Sequence, residues 1–333
     1  YATAFRTADS LYVAAAGRDG RWVTPLVQRT ALAYRRSRVV GRDPAAIRTW
    51  VDTGLVRAAA ALAVDPRSAD ALELRGNLRY WAWLNTLDPD PARQQARLDS
   101  ARKDFEQATT LAPRQAGAWA SLSHLLSQMA TPAEVQLAAE RALEADEFLA
   151  NADVILGRIF SSLYDQAQFD RAKVRCGELV RRFPANPLAT RCQLYLLTSR
   201  IETPDVARAW RLADSTVALS PAPRRPAMRL AVDMLVAAVI ARAAKTTPAL
   251  VDSGRAVVRR SEGDPSIDPA REAALFGAWS CKLLGDADCS FRLLRQYVAA
   301  NPGRKTAFQD DPGWWFRDLA DDPRFLQLVG GTQ

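Results

Sequence analysis

A fixed spacing of small and bulky residues, counted back from helix-stopping residues, constrains this chain more than any other feature. Twelve, eight and five residues before Pro113 stand Ala101, Phe105 and Ala108. The same offsets give Gly54, Ala58 and Ala61 before Pro66, Ala8, Tyr12 and Ala15 before Gly20, Ala172, Cys176 and Leu179 before Pro184, and Ala209, Ala213 and Thr216 before Pro221. With Asp146-Glu147 taken as equivalent to Asp65-Pro66, stops fall at 20, 66, 113, 147, 184, 221, 265 and 302. Offsets of three and four residues place these positions on one helix face, and their recurrence every few dozen residues marks a repeat architecture. Two helices approach closely only where no side chain intrudes. Ala101 and Ala108 therefore admit a partner helix, Phe105 fills the gap to the next repeat, and the proline ends the helix because it has no N–H to donate.

After Pro113 the next helix reads "AWASLSHLL", with Trp119, Leu122, small Ser123 and Leu126 at first-helix spacing. Together, "WASLSHLL…AAERALEADE" and "ARKDFEQATTLAP" resemble tetratricopeptide repeats, whose unit is a 34-residue helix-turn-helix. The interval from 113 to 147 equals that period. Longer intervals are read as extended helices, as in "ALELRGNLRYWAWLNTLDPDPARQQARL", where an Asp-Pro-Asp-Pro turn separates two long helices. The resemblance covers residues 1–303 and is poorest over 246–303, where "SGRAVVRRSEGDP" fits the spacing badly. It implies an all-α, right-handed superhelical solenoid of about six and a half repeats, opening on a half repeat. Residues 304–333 are expected to form a C-terminal helical cap. There "DDPGWWFRDLADDPRFLQLVG" carries two Asp-Pro helix starts, with Trp314, Trp315, Phe316 and Phe325 as apolar rings that fold back on the last repeat or offer an interface. The "TADSLYVAAAGRDGRW" and "ALELRGNLRYW" stretches and the closing Asp-Pro-Arg-Phe run also resemble tetratricopeptide regions of bacterial membrane-anchored serine/threonine kinases. That likeness implies a kinase upstream of Tyr1, since no kinase motif lies in this sequence. The sequence opens without an initiator Met or a signal-like segment, so it is read as a mature form or a fragment.

Composition narrows the function classes. The 333 residues are 48% hydrophobic and 25% charged, as in a foldable helical chain. No apolar run is long enough to span a bilayer, the nearest being broken by Asp233, so membrane insertion is not expected. The net charge is +8, and only five of the 45 basic residues are lysine. They are scattered, as in Arg35, Arg36, Arg38 and Arg42, in Arg171, Lys173, Arg175, Arg181 and Arg182, and in Arg224 and Arg225, without a concentrated groove and stacking platforms. Nucleic-acid binding is therefore not expected, and the charge implies solubility and a mild preference for acidic partners.

The sequence carries no recognisable catalytic motif. The single histidine, His124, stands beside Ser121 and Ser123 on a helix, without the third group or the strand-to-helix elbow of a hydrolase. Glycine-rich phosphate loops and H-E-x-x-H are absent, and Glu140 with Glu144, or Asp310 with Asp311, read as exposed or turn residues. Four separated cysteines and one histidine cannot build a zinc knuckle. No enzyme, metal or cofactor is expected. Cys281 and Cys289 flank the turn of one hairpin, and Cys176 and Cys192 lie on neighbouring helices, so two disulfides and an oxidising, extracytoplasmic compartment are expected. The alternative is four buried thiols packing as small apolar groups. Tyr80, Trp81 and Trp83, together with Trp314 and Trp315, either floor a groove or pack in the core.

These readings converge on a non-catalytic scaffold whose first helices take a peptide or protein ligand. The alternative is a structural protein whose copies associate head to tail through their ends into filaments.

Overall fold

Helix boundaries follow from local chemistry. Asp43, Asp90 and Asn186 accept hydrogen bonds from the amides of Ala45, Ala92 and Leu188 at 3.0, 2.9 and 2.8 Å. A proline follows each at the first helical position, where a missing N–H leaves no bond unmade. Thr131 and Glu134 close a capping box ahead of a further proline-led helix.

The computed structural model describes residues 2–129 and 131–330. Residues up to Ile155 pack as one unit and those from Leu156 as a second. The first contains α1 (Ala2–Arg18), α2 (Val23–Val39), α3 (Pro44–Val64), α4 (Ala69–Leu84), α5 (Pro91–Leu111), α6 (Ala116–Met129) and α7 (Pro132–Ala145). The division falls within α8 (Ala152–Asp165). The second unit continues with α9 (Phe169–Arg182), α10 (Pro187–Leu197), α11 (Val206–Leu219), α12 (Arg225–Ala244), α13 (Val251–Arg260), α14 (Glu272–Leu283) and α15 (Ala287–Ala300). Three short helices close it: α16 (Arg304–Asp310), α17 (Gly313–Phe316) and α18 (Pro323–Val329).

The expected all-α array of helix-turn-helix repeats is what forms, and no strand occurs among the described residues. In the first unit α2 pairs with α3, α4 with α5 and α6 with α7, and α1, α3 and α5 pack on α2, α4 and α6 in turn. First helices also touch one another, α2 with α4 and α4 with α6. The second unit repeats the scheme with α10–α11, α12–α13 and α14–α15, and α12 touches both α10 and α14.

Close packing rests on the small residues. Ala58, Ala61, Ala101, Ala108, Ala172, Ala209 and Ala213 are fully buried. Phe105 is fully buried too, in a cluster with Leu122, Leu125 and Leu126 of α6. It also lies over Gly76 of its own hairpin, where an added Cβ would stand 2.7 Å from the ring. Trp119 is half-buried and donates its indole N–H to the Pro113 carbonyl at 2.9 Å, and Leu122 is buried. Ala8, Tyr12 and Ala15 of α1 are only half-buried, and Leu11 and Val13 of the same helix are 66% and 47% exposed.

Both cysteine pairs stand at bonding distance. Cys176 of α9 faces Cys192 of α10, and Cys281 of α14 faces Cys289 of α15, with Cα separations of 5.7 and 5.8 Å.

Candidate functional site

In a helical-hairpin array, the side chains that first helices do not spend on packing are the ones free to meet a ligand. The two units use this face differently.

In the first unit the face is polar. Asp70, Glu73 and Asn77 follow one another at one-turn spacing on α4. Gln115, just before α6, donates its amide to Asp70 at 3.0 Å and also to Glu73. Ser121 of α6 donates to the Asn77 side-chain oxygen at 2.9 Å. Gly117 leaves room here: a Cβ at that position would sit 2.7 Å from a Glu73 carboxylate oxygen, which would have to shift. Burial pushes the Glu73 carboxyl above its ordinary pKa, and neighbouring Asp70 adds to the rise, against the lowering effect of the Gln115 bond. The opposite side of α4 is spent on structure, where Arg75 and Arg79 each reach the buried Asp104 of α5 at 2.6 Å.

Tyr80 belongs to the core: it is buried, meets His124 edge-on at 5.3 Å and donates its hydroxyl to the His124 carbonyl. Trp81 and Trp83 are half-buried, Trp81 donating to the Ser37 carbonyl at 3.3 Å with Arg38 over its ring. The acidic pairs set aside on sequence are tied locally: Glu140 accepts from Gln136, Glu144 from Arg141, and Asp311 from the Gly313 amide. Among the described residues no group of three or more His, Cys, Asp or Glu is placed to share a metal ion, and no helix is long and apolar enough to cross a membrane.

In the second unit the corresponding face is aromatic. Phe160 and Tyr164 of α8 lie 5.9 Å apart, Tyr195 of α10 is 5.1 Å from Tyr164, and Phe276 of α14 is 5.9 Å from Tyr195. Tyr164, Tyr195 and Phe276 of this row meet the indoles of α17. Trp315 meets Trp279 edge-on at 4.5 Å and Tyr164 at 5.5 Å, and Trp314 meets Trp279 at 5.3 Å and Phe169 at 5.1 Å. Trp314 donates its indole N–H to the Tyr164 carbonyl at 2.9 Å, and Lys282 of α14 donates to the Trp315 carbonyl at 2.7 Å. Trp314 and Trp315 stay half-exposed, whereas Phe316 and Phe325 are fully buried around Phe308. All four rings proposed as an interface thus lie against their own unit. The segment contacts the last hairpin through α18 and α15, and Trp314 also reaches α8 and α9.

Sequence reasoning passed over the α4 stripe and the rings of α8, α10 and α14. The usable signal was the offset of Asp70, Glu73 and Asn77 from the packing positions Leu72 and Gly76. The charge excess also divides unequally: residues 1–155 hold 19 basic and 18 acidic side chains, and residues 156–333 hold 26 and 19.

No protein-family model matches the chain, and no curated protein matches it significantly. Among solved structures the chain is similar to YrrB, a TPR protein with an unusual peptide-binding site, at 15% identity and a TM-score of 0.47 over 63% of this chain and 93% of that one. It is also similar to TTC0263, a thermophilic TPR protein of Thermus thermophilus, at 14% identity and 0.42 over 58% and 91%. For Pseudomonas aeruginosa pilF the values are 18% and 0.39 over 73% and 99%.

Proposed function

We propose that this protein is a non-catalytic scaffold that binds a peptide or protein segment on the first-helix face of its N-terminal unit. The observation that carries the reading is the Asp70–Glu73–Asn77 stripe, whose side chains are fixed by Gln115 and Ser121. Fixed acceptors lose little conformational entropy on binding, and two carboxylates favour a partner with Lys or Arg side chains. The preference for acidic partners expected from the overall charge does not hold for this face. The paired cysteines support an extracytoplasmic setting, periplasmic, cell-surface or secreted, in which the scaffold serves as the docking region of a signalling protein.

The test is fluorescence anisotropy with labelled twelve-residue peptides carrying Lys or Arg at alternate positions, against acidic peptides of equal length. Basic peptides should bind, more weakly at higher salt, and Asp70→Ala with Asn77→Ala should weaken them by about tenfold or more. Equal binding of both sets, or indifference to the two substitutions, refutes the reading.

A second reading, head-to-tail association of copies, is favoured by charge. Residues 1–50 carry nine Arg against three Asp, whereas residues 261–333 carry eight basic against eleven acidic side chains. With the four C-terminal rings engaged within their unit, such contact would use Leu11 and Val13 of α1 against Leu326 and the acidic side chains of the closing segment. A monomer in sedimentation at low salt and high concentration excludes it.

A further inference from the structure

We infer that the ring face of α8, α10 and α14 is a binding site for a peptide segment bearing adjacent aromatic residues, and that residues 312–319 occupy it as an internal ligand. The inference rests on the reading of first-helix faces as recognition surfaces, but it concerns the other unit and a different ligand chemistry.

Three observations carry it. First, Tyr195 and Phe276 lie on α10 and α14, the first helices of their hairpins, the role that α4, with Asp70 exposed, has in the first unit. Second, the cover comes from outside the hairpins. The chain leaves α15 through Asn301 and Pro302, breaks again at Asp311-Pro312, and turns at Gly313, whose φ of +68° favours glycine. Third, the grip is that of a ligand. Two half-exposed indoles supply the apolar contact, and polar ties come from Trp314 Nε1 to the Tyr164 carbonyl and from Lys282 to the Trp315 carbonyl and the Asp318 carboxylate. Each indole brings a large flat area with little rotamer freedom to lose. Because the segment is tethered, it competes at a high effective concentration and keeps outside peptides from the rings.

The chemistry that would displace it is the segment's own: a short peptide with paired Trp, Tyr or Phe and an acidic residue able to reach Lys282. If the segment is closed for all but a few per cent of the time, an outside peptide binds about 10- to 100-fold more weakly than to the open face.

The experiment uses the full chain. A fluorescein-labelled peptide with the sequence of residues 309–319, and a control with both tryptophans replaced by alanine, are titrated by anisotropy. They are added to the parent and to the Trp314→Ala/Trp315→Ala variant, with folding checked by circular dichroism. The tryptophan peptide should bind the variant at least about tenfold more tightly than the parent, and the control should bind neither. The inference is overturned if the folded variant takes up neither peptide, takes up both alike, or binds no better than the parent. Asp318→Ala, which removes the segment's ion pair to Lys282 while leaving every ring and Lys282 itself in place for the peptide, decides the matter if the double variant does not fold. Its affinity should also exceed the parent's, and no gain overturns the inference. A failure of basic peptides on the α4 stripe leaves these titrations unaffected, and the reverse also holds.

Discussion

Gly76→Ala separates helix propensity from packing, because the two act in opposite directions. In the middle of α4 an alanine is intrinsically better than glycine by about 1 kcal/mol. The new Cβ, however, would stand 2.7, 2.9 and 3.1 Å from three ring carbons of Phe105. That ring is fully buried and flat, and cannot swing aside as the end of a flexible chain would. Overpacking of this kind costs about 1–3 kcal/mol, and contacts below 3 Å to a rigid group lie toward its upper part. The net expectation is a loss of about 1–2 kcal/mol, or a midpoint lower by roughly 3–6 °C for a unit of this size. Gly17→Ala in α1 provides the opposite case: nothing lies within 4 Å of the added Cβ, and its φ is not positive. That variant should gain about 0.4–1 kcal/mol. Urea titrations followed by far-ultraviolet circular dichroism measure both. In a Phe105→Leu background the cost of Gly76→Ala should shrink by about 1 kcal/mol or more, which a double-mutant cycle isolates. A neutral or stabilising Gly76→Ala would refute the account of small residues as admission points for a neighbouring ring.

Asp104→Ala should cost roughly 3 kcal/mol by urea titration. This is the low end of the range for breaking a buried ion pair, because Arg75 and Arg79 keep 26% and 29% of their side-chain surface exposed. A loss below about 1 kcal/mol would show the cluster to be solvated rather than structural. For Glu73 the direction is set by its raised pKa. The folded state holds the proton to higher pH than the unfolded chain, so stability is fully present below the unfolded pKa and is lost as pH rises through the folded one. Glu73→Gln should therefore match the parent near pH 4 and exceed it at pH 7 in denaturation midpoint. Parallel curves for the two proteins across that window would contradict the assignment.

The repeat was legible because its signals are local. Seven of the eight stops inferred from spacing lie two residues beyond a helix end, from Gly20 after α1 to Pro302 after α15. The exception is Pro265, five residues past Arg260, in the stretch where the spacing already fitted badly. The long second helices were legible too, because Asp43-Pro44 and Asp90-Pro91 write a cap and a first helical residue into the sequence. Periodicity says which face of a helix is buried, but not what buries it. "GWWF" declares two indoles in need of cover, and nothing in its neighbourhood names Tyr164, 150 residues earlier, as the residue whose carbonyl accepts the Trp314 indole hydrogen bond. The same limit hid the α4 stripe. Asp70, Glu73 and Asn77 read as an ordinary wet helix face until the fold brings Gln115 against them and Gly117 lets Glu73 approach α6. The packing half of each repeat is therefore fixed by residues three and four apart. The recognition half is fixed by residues more than thirty apart, and these give the two units opposite characters, one polar and open, the other aromatic and covered by its own chain.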